Sequence, residues 1–360
     1  MSAVYKKLEE VCEILDSRRV PITAKDRKAG IYPYYGANGL QDYVAEYIFD
    51  DELVLLAEDG GNFGSKERPI AYRVSGKCWV NNHAHVLKAK PIVNVDYLCY
   101  ALMFYDTEGL VNGATRQKLT QSAMRQMVIP YRDMAEQVRI VDEVSRVTRL
   151  IDKRKEELLL LNQLVKSRFI ELFGDPETNP KGWNRQRLDQ ICENLDIRRV
   201  PITSTDRKAG SYPYYGASGI VDYVEDYIFD EDILLISEDG ANLAMRSTPI
   251  AFSVSGKVWV NNHAHVVRFK SKATQKYIEI CFALTDISGS ITGTAQPKLN
   301  QAKLNAMMFC IPPIELQEQF AAFVEQTDKS KYYSSLSYHL CQQAASNYRQ
   351  EWMTCRTSNS

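Results

Sequence analysis

The feature that most constrains this 360-residue chain is an internal repeat with an offset of 180 residues. Residues 18–88 align with residues 198–268 without a gap, and 45 of the 71 aligned positions are identical. The shared run WVNNHAHV occupies 79–86 in one copy and 259–266 in the other. This period is far longer than that of a solenoid repeat, so each copy is the size of a domain. A chain with two nearly equal modules is suited to a target with two nearly equal parts.

The overall composition is that of an ordinary globular chain and gives no electrostatic case for a nucleic acid partner. Hydrophobic residues make up 45% and charged residues 25%, and the net charge is −1. A polyanion would therefore have to bind a face on which the basic residues are segregated.

The cysteines and the apolar segments indicate the compartment. The eight cysteines form no CxxC pair, and only Cys12 and Cys192 hold equivalent repeat positions. We therefore expect reduced thiols and no disulfide or zinc framework. No signal peptide opens the chain, and no apolar run approaches the roughly 20 residues that span a bilayer. The expectation is a soluble cytoplasmic protein that contacts no membrane.

Each module shows the pattern of an α+β fold. Short β-branched and aromatic runs separated by Gly, Asn and Pro predict a curved, largely antiparallel sheet. The expected strands are 52–57, 70–75 and 78–89, with copies at 232–237, 250–255 and 258–269. A helix is predicted at 95–105 and again at 275–284, and a last strand is predicted to reach Pro130 and Pro312.

Between the modules, residues 135–173 predict one helix about 58 Å long at 1.5 Å per residue. Its apolar residues follow a heptad seam, which favours a coiled-coil strut, although a helix packed on its own domain is the alternative. The seam residues are Val141, Val144, Ile151, Leu158, Val165, Phe169 and Leu172. Lys155 and Asn162 fall at two seam positions, where they are expected to fix the register. A matching helix begins near Glu315, but beyond Lys331 its seam is poor.

These patterns divide the chain into four segments. The predicted segments are a first module at 1–134, the central helix at 135–183, a second module at 184–314, and a distal helix with an atypical tail at 315–360.

The chain carries no phosphate-binding loop, dinucleotide fingerprint, HExxH or GxSxG motif. The run Asn81-Asn82-His83-Ala84-His85 is the most suggestive cluster, because two histidines two apart on a strand share a face. With Glu58 or Asp59 they could hold a metal. The alternatives are neutral imidazoles that hydrogen-bond across a sheet and contacts to bases or phosphate. We expect no metal.

A variable loop inside the repeat is a further candidate for binding. Residues 61–68 (GNFGSKER) align with residues 241–248 (ANLAMRST), and only the Asn is kept. A loop that varies within a constant frame is where a binding scaffold carries specificity, although surface drift gives the same pattern. The YPYYGANG segment at 32–39 combines turn residues with aromatic residues that either pack in the core or offer hydroxyls to a ligand.

As a joint pattern, these residues resemble the specificity subunits of type I restriction-modification systems. The resemblance rests on YPYYGANG and YPYYGASG, EDG, WVNNHAHV, GATRQKL and GTAQPKL, and on the helix ending at 164–173 (LVKSRFIELF). It covers the chain to about Lys331. The leucine-rich, phenylalanine-ended segment that closes the distal helix in that family is missing from 332–360, so a weaker pairing of the two helices is expected there.

The resemblance implies two target-recognition domains, each reading half of a split double-stranded DNA site. Two long antiparallel helices would set the spacer between the half-sites. It also implies two methyltransferase subunits that use S-adenosylmethionine and restriction subunits that translocate DNA with ATP and Mg²⁺. The chain itself would bind no cofactor and perform no chemistry.

DNA contacts are expected from residues of both copies. In the first copy they are Arg18, Arg19, Arg27, Lys28, Tyr34, Tyr35, Asn38, Asn62, Lys66, Arg68, Asn82, His83, Arg116 and Lys118. In the second they are Arg198, Arg199, Arg207, Lys208, Tyr214, Tyr215, Ser218, Asn242, Arg246, Asn262, His263, Gln296 and Lys298. Because the modules are so alike, a near-palindromic site is expected. The alternatives are a metal-dependent nuclease with duplicated His/Asp sites, and a scaffold that binds proteins.

Overall fold

The structure is a computed structural model that describes residues 4–113, 116–293 and 296–354, with side chains described as far as residue 347. By its contacts the chain forms two compact units. The first comprises residues 1–154 and 337–360, and the second comprises residues 155–336.

The first module alternates strands with short helices and ends in a long helix. In chain order its elements are β1 (Val4–Lys7), α1 (Leu8–Val11), β2 (Cys12–Ile14), β3 (Ala29–Gly36), β4 (Gly39–Val44), β5 (Phe49–Ala57), β6 (Ala71–Val80), β7 (Ala84–Ala89), α2 (Val95–Met103), β8 (Val111–Asn112), β9 (Lys118–Leu119), α3 (Gln121–Gln126), β10 (Val128–Tyr131) and α4 (Met134–Phe173).

The second module repeats this order. Its elements are β11 (Asn184–Arg187), α5 (Leu188–Ile191), β12 (Cys192–Asn194), β13 (Ala209–Gly216), β14 (Gly219–Val224), β15 (Phe229–Asp230), β16 (Ile233–Ser237), α6 (Asn242–Met245), β17 (Ala251–Val254), β18 (Lys257–Val260), β19 (Ala264–Phe269), α7 (Lys272–Leu284), α8 (Gln301–Asn305), β20 (Met308–Ile311) and α9 (Ile314–Thr354).

The main sheet of the first module has the strand order β2-β7-β5-β6-β3-β4. Its pairs are antiparallel except for β3 with β6, which run parallel at Tyr34–Trp79 and Tyr35–Val80. In the second module the strand equivalent to β6 is divided into β17 and β18, giving the four-stranded orders β12-β19-β16-β17 and β14-β13-β18-β15. The prediction of curved, mainly antiparallel sheets in an α+β fold is confirmed.

The central strand β5 is buried on both faces, which explains its unbroken apolar run. Val54 and Leu56 face a core built with α2 and α3, whereas Leu53 and Leu55 face a second cluster with Val86. A strand covered on both sides shows no alternation of polar and apolar residues.

One strand prediction is wrong. The expected strand 78–89 is interrupted at residues 81–83, where β6 ends and β7 has not begun. The side-chain oxygen of Asn81 accepts the backbone N–H of His83 at 2.8 Å, which closes a local turn. The same bond joins Asn261 and His263. His83 and His85 therefore do not share a strand face.

The long helix α4 packs into the core of each unit at its two ends. Val141 and Val144 lie half-buried against the core of the first unit. Val165 and Phe169 are buried in the second, and Phe169 stacks on Tyr277 with ring centroids 5.2 Å apart. Of the other seam residues, Ile151, Leu158 and Leu172 are half-buried. Lys155 and Asn162 are exposed, which does not match the core positions expected for them.

The helices α4 and α9 run antiparallel where they contact. Within the second unit, Phe169 of α4 meets Phe320 of α9 with centroids 5.5 Å apart. Within the first unit, Arg154 Nε donates to Ser337 Oγ at 3.3 Å. The residue numbers of the two helices change in opposite directions between these contacts. Within the described residues the unusual tail is helical, since α9 extends to Thr354.

Candidate nucleic-acid interface

Several loops meet at one end of the sheet in the first module. The backbone N–H of Glu58 donates to the His83 carbonyl at 2.8 Å, and the N–H of Leu119 donates to the Glu58 carbonyl at 2.7 Å. Asn38 Nδ2 donates to the Gly60 carbonyl at 3.0 Å. We call this set of segments the loop end: residues 37–39, 58–64, 81–83 and 116–118 in the first module, and 217–219, 238–244, 261–263 and 296–298 in the second.

A buried hydrogen-bond network lies directly beneath the loop end. The Asp16 carboxylate accepts hydrogen bonds from the Val86 N–H at 2.8 Å and from Gln121 Nε2 at 3.0 Å, and it lies 2.6 Å from His85 Nδ1. The other ring nitrogen of His85, Nε2, lies 2.9 Å from the carbonyl oxygen of Leu119. Both ring nitrogens therefore have an oxygen partner within hydrogen-bond distance. His85 thereby ties β7 to the start of the chain and to β9.

Charged side chains extend this network towards the surface. Arg19 Nη1 donates to Glu58 Oε2 at 2.6 Å and to the Ala84 carbonyl at 2.8 Å. The second oxygen of Glu58 pairs with Lys118 Nζ at 3.1 Å. The Lys118 side chain is 50% exposed, whereas that of Glu58 is 12% exposed. Lys118 is therefore a cation that the fold holds at the surface.

The second module repeats this network except that Gln301, the equivalent of Gln121, donates to Asn194 instead of to the aspartate. His265 Nδ1 lies 2.6 Å from Asp196, and His265 Nε2 lies 2.7 Å from the Leu299 carbonyl oxygen. Glu238 pairs with Arg199 at 2.6 Å and with Lys298 at 3.1 Å. Duplication has therefore preserved a polar core as well as an apolar one.

Three acidic groups of the two networks, Asp16, Asp196 and Glu238, have pKa values below their ordinary values. Burial works to raise the pKa of Asp16, but the hydrogen bond and charge of His85, the Val86 N–H and the charge of Arg19 bring that pKa below its ordinary value. The pKa of Asp196 is lowered against the same burial by the equivalent partners. The pKa of Glu238 is also lowered, because Arg199, His265 and Lys298 outweigh its burial.

In each module two carboxylates and a histidine lie close enough to hold a metal. The groups are Asp16, Glu58 and His85, and their copies Asp196, Glu238 and His265. However, an arginine already occupies each group: Arg19 lies 2.6 Å from Glu58 and 3.5 Å from Asp16. Ion pairs therefore account for this cluster, and the suggestion of a metal-dependent nuclease finds no support.

The exposed part of the loop end differs between the modules at several positions, including Asn38 and Ser218, and the exchange that alters the hydrogen bonds of Asp59 is that of Arg116 for Gln296. In the first, Asp59 Oδ1 contacts both His83 Nδ1 at 2.6 Å and Arg116 Nη2 at 2.7 Å. In the second, Gln296 replaces Arg116, and His263 Nδ1 lies 2.9 Å from both oxygens of Asp239. The side chain of Arg116 is 61% exposed.

The structure gathers only some of the residues expected to contact DNA. At the loop end and exposed or half-exposed lie Asn38, Asn82, His83, Arg116, Lys118, Ser218, Asn262, His263, Gln296 and Lys298. Exposed in the variable loop or near β3 and β13 lie Lys66, Arg68, Lys28 and Lys208. Ala114, Thr115, Thr294 and Ala295, which belong to the GATRQKL and GTAQPKL motifs, lie outside the described residues.

Other expected contacts are engaged within the fold. Tyr34 and Tyr214 are buried, and their hydroxyls lie 3.3 Å from the Ile22 and Ile202 carbonyl oxygens. Arg246 donates to the carbonyls of Phe282 and Thr285 at the end of α7. Four arginines lie over aromatic rings of their own modules: Arg18, Arg27, Arg198 and Arg207. Arg19 and Arg199 belong to the buried networks, and Tyr35 and Tyr215 are half-buried against other rings. Asn62 and Asn242 donate to carbonyls of their own loops.

Sequence reasoning missed Asp16 and Asp196, on which each network is centred. Their contacts with His85 and His265 span 69 residues, so local spacing does not reveal them. A signal existed, since Leu15-Asp16 returns unchanged as Leu195-Asp196 at the repeat offset.

Two copies of one fold, each with the same loop end over the same polar network, define a duplicated recognition module. The model of the type I restriction modification DNA specificity domain matches residues 3–161 and 180–332, and the chain belongs to this family. It has the organisation of a type I restriction enzyme specificity subunit with two repeated recognition domains. Such subunits direct other subunits to their targets and are themselves non-catalytic.

Relatives and solved structures agree over nearly the whole chain. The protein S.HindORF215P of Haemophilus influenzae, assigned as a type I restriction enzyme specificity subunit, is 27% identical over 347 residues, which cover 89% of this chain and 86% of that protein. The MjaIX specificity subunit of Methanocaldococcus jannaschii is 22% identical over 371 residues, covering 89% and 85%. The crystal structure of a type I S subunit from M. genitalium shares the fold with a TM-score of 0.65 at 13% identity, covering 97% of this chain and 95% of that one. In the part of the chain that is described, no helix has the length and apolar character needed to cross a membrane.

Proposed function

We propose that each module reads one half of a split double-stranded DNA site through its loop end. The repetition of the loop end supports this most directly: the Glu-Asp-His-Lys frame of Glu58, Asp59, His83 and Lys118 recurs with the same backbone hydrogen bonds in the second module. A surface that is repeated with its supporting network is suited to a target that is itself repeated.

Reading of bases falls to the exposed polar groups of the loop end. Amide and guanidinium side chains such as Asn82 and Arg116 match the donors and acceptors on base edges in the major groove. Lys118 and Lys298 suit phosphate contacts, which supply affinity without sequence information. The two faces meet similar half-sites in inverted orientation, so the whole site is near-palindromic.

The helices α4 and α9 fix the number of base pairs between the half-sites. Within the second unit the two helices pack together through buried rings such as Phe169 and Phe320, which supports a role for them as a spacer. Two modification subunits carrying S-adenosylmethionine and restriction subunits using ATP and Mg²⁺ supply the chemistry. The chain itself binds neither cofactor and acts as the targeting subunit.

The near-neutral charge of the chain sets an expectation for affinity. With a net charge of −1, the isolated chain binds DNA weakly, and the modification subunits complete the grip. Gel-shift titrations of the isolated chain and of its complex with the modification subunits test this. Much tighter and more selective binding by the complex is expected, and equal affinity of the isolated chain would contradict it. A complex without any DNA affinity would favour the alternative of a protein-binding scaffold.

Long-read sequencing of a host that expresses the chain with its partner subunits gives the methylated motif directly. A bipartite motif with inverted similarity between its halves is expected. A contiguous motif, or two unrelated halves, would overturn the proposal.

A further inference from the structure

We propose that Arg116 and Gln296 make the two half-sites differ at one base position: the first module requires guanine where the second requires adenine. This inference rests on the proposed function and goes further by assigning one base preference to one pair of residues.

The two residues occupy the same position on the same backbone frame. In the first module the backbones of Asp59 and Lys118 form an isolated antiparallel β-bridge, and the Gly60 N–H donates to the Gln117 carbonyl at 3.2 Å. In the second module the backbones of Asp239 and Lys298 form the same β-bridge, and the Gly240 N–H donates to the Pro297 carbonyl at 3.1 Å. Residues 116 and 296 therefore approach equivalent points of a target, and the side chain is what differs.

Arg116 is exposed but held in place. Its Nη2 donates to Asp59 Oδ1 at 2.7 Å, and the Asp59 side chain is only 17% exposed because it also contacts His83. A guanidinium fixed by a carboxylate loses less conformational freedom when it binds a second planar group. Its remaining N–H groups are directed by this contact.

Among the described residues of the second module, Asp239, the equivalent of Asp59, is paired with a histidine alone and not with an arginine. His263 Nδ1 lies 2.9 Å from each oxygen of Asp239, and the His263 side chain is 51% exposed, against 35% for His83. Gln296 is exposed. The exchange of Arg for Gln is therefore accommodated by a small change in one histidine contact.

The chemistry of the two side chains selects different bases. The guanidinium fork donates two hydrogen bonds, which matches O6 and N7 of guanine. The glutamine amide donates one and accepts one, which matches N7 and N6 of adenine. A phosphate contact from Arg116 would instead weaken binding to every sequence alike and lower the salt dependence.

The substitutions Arg116→Gln and Gln296→Arg test this in the full-length chain, co-expressed with its modification subunits in a host without other methylation. In the long-read motif, R116Q should change one guanine of one half-site to adenine, and Q296R should make the converse change in the other half-site. Binding of the complex to paired synthetic duplexes should shift its preference at that base by roughly 5- to 150-fold.

Control variants separate base readout from the loss of a charge. R146Q removes an exposed arginine that is likewise paired with a carboxylate, Asp142, but lies on α4 outside the loop end, and it should leave the motif unchanged. R116K keeps the charge without the fork and should relax the base at that position only. If R116Q and Q296R keep the wild-type motif and R116Q only weakens binding with a smaller salt slope, Arg116 contacts phosphate and the inference is overturned. A wild-type motif that is not bipartite would instead overturn the proposed function.

Discussion

Replacing Asp16 with Ala removes a buried carboxylate that receives hydrogen bonds from three parts of the first module. These donors are the ring of His85, the backbone N–H of Val86 in β7, and the side chain of Gln121 in α3. Arg19 contributes an ion pair at 3.5 Å. The Asp16 side chain is 4% exposed, so water does not replace the lost acceptor without opening of the structure.

The expected cost follows from these contacts. Three hydrogen bonds to a charged acceptor, at about 1.5 kcal/mol each, give about 4–5 kcal/mol. Removal of one partner from a buried charged network costs about 3–5 kcal/mol, because the other partner is left uncompensated. Asp16→Asn should cost less, about 1–2 kcal/mol, since its amide oxygen still accepts the Val86 N–H and its amide group can still hydrogen-bond to the ring of His85.

Hydrogen exchange followed by mass spectrometry reports this locally, because opening of β7 exposes its amides. D16A should speed exchange in residues 84–89 by roughly 150- to 5,000-fold, up to the limit set by global unfolding. Residues 264–269 of β19 provide an internal reference. D196A should produce the converse pattern, with fast exchange in 264–269.

Two results would refute this reasoning. Exchange in residues 84–89 of D16A within threefold of the wild type would mean that the network contributes nothing to β7. Equal acceleration in both strands by either variant would mean that the two networks do not act separately.

Three further outcomes are expected. Because the folded-state pKa values of Asp16 and Asp196 are lowered, their stabilisation is complete above the unfolded pKa near 3.9 and is lost as the pH falls through the lower folded values. The protection of residues 84–89, measured against the exchange rate of an unstructured chain at the same pH, should therefore fall at acid pH in the wild type and much less in D16N. Phe169→Ala, at a fully buried ring, should cost about 3–5 kcal/mol in chemical denaturation, against about 0.5 kcal/mol or less for Leu160→Ala on the exposed face of α4; similar midpoints would contradict the packing. Lys118→Gln should weaken binding of the complex to all sequences alike and lower the salt slope by about one, and a changed motif would argue against a phosphate contact.

Much of the architecture could be predicted from the sequence, because it depends on local patterns and on the repeat. The offset of 180 residues predicted two modules, and an uninterrupted apolar periodicity predicted a helix at 135–173, where α4 runs from Met134 to Phe173. The local apolar run at 53–57 likewise predicted a strand, which is part of β5.

The site was less predictable, because its geometry depends on contacts between residues far apart in the sequence and on a side-chain hydrogen bond that interrupts a strand. The Asn81 turn breaks a run that reads as one strand, and so moves His83 to the surface while His85 enters the core. Tyr34 is a residue type that often contacts ligands, but here its ring is buried with Val44 and Trp79. Asp16 gains its role from residues about 70 and 105 positions away.

The most direct measurement of the central claim is the methylated motif of a chain with two copies of the same module. Residues 184–311 and residues 4–131 are equal in length and each begin and end in one strand pair, β11 with β20 and β1 with β10, so either can replace the other. With two first modules the account predicts a perfect palindrome built from the first half-site, and with two second modules a palindrome built from the other. A motif identical to that of the wild type, or one that still has two different halves, would contradict it.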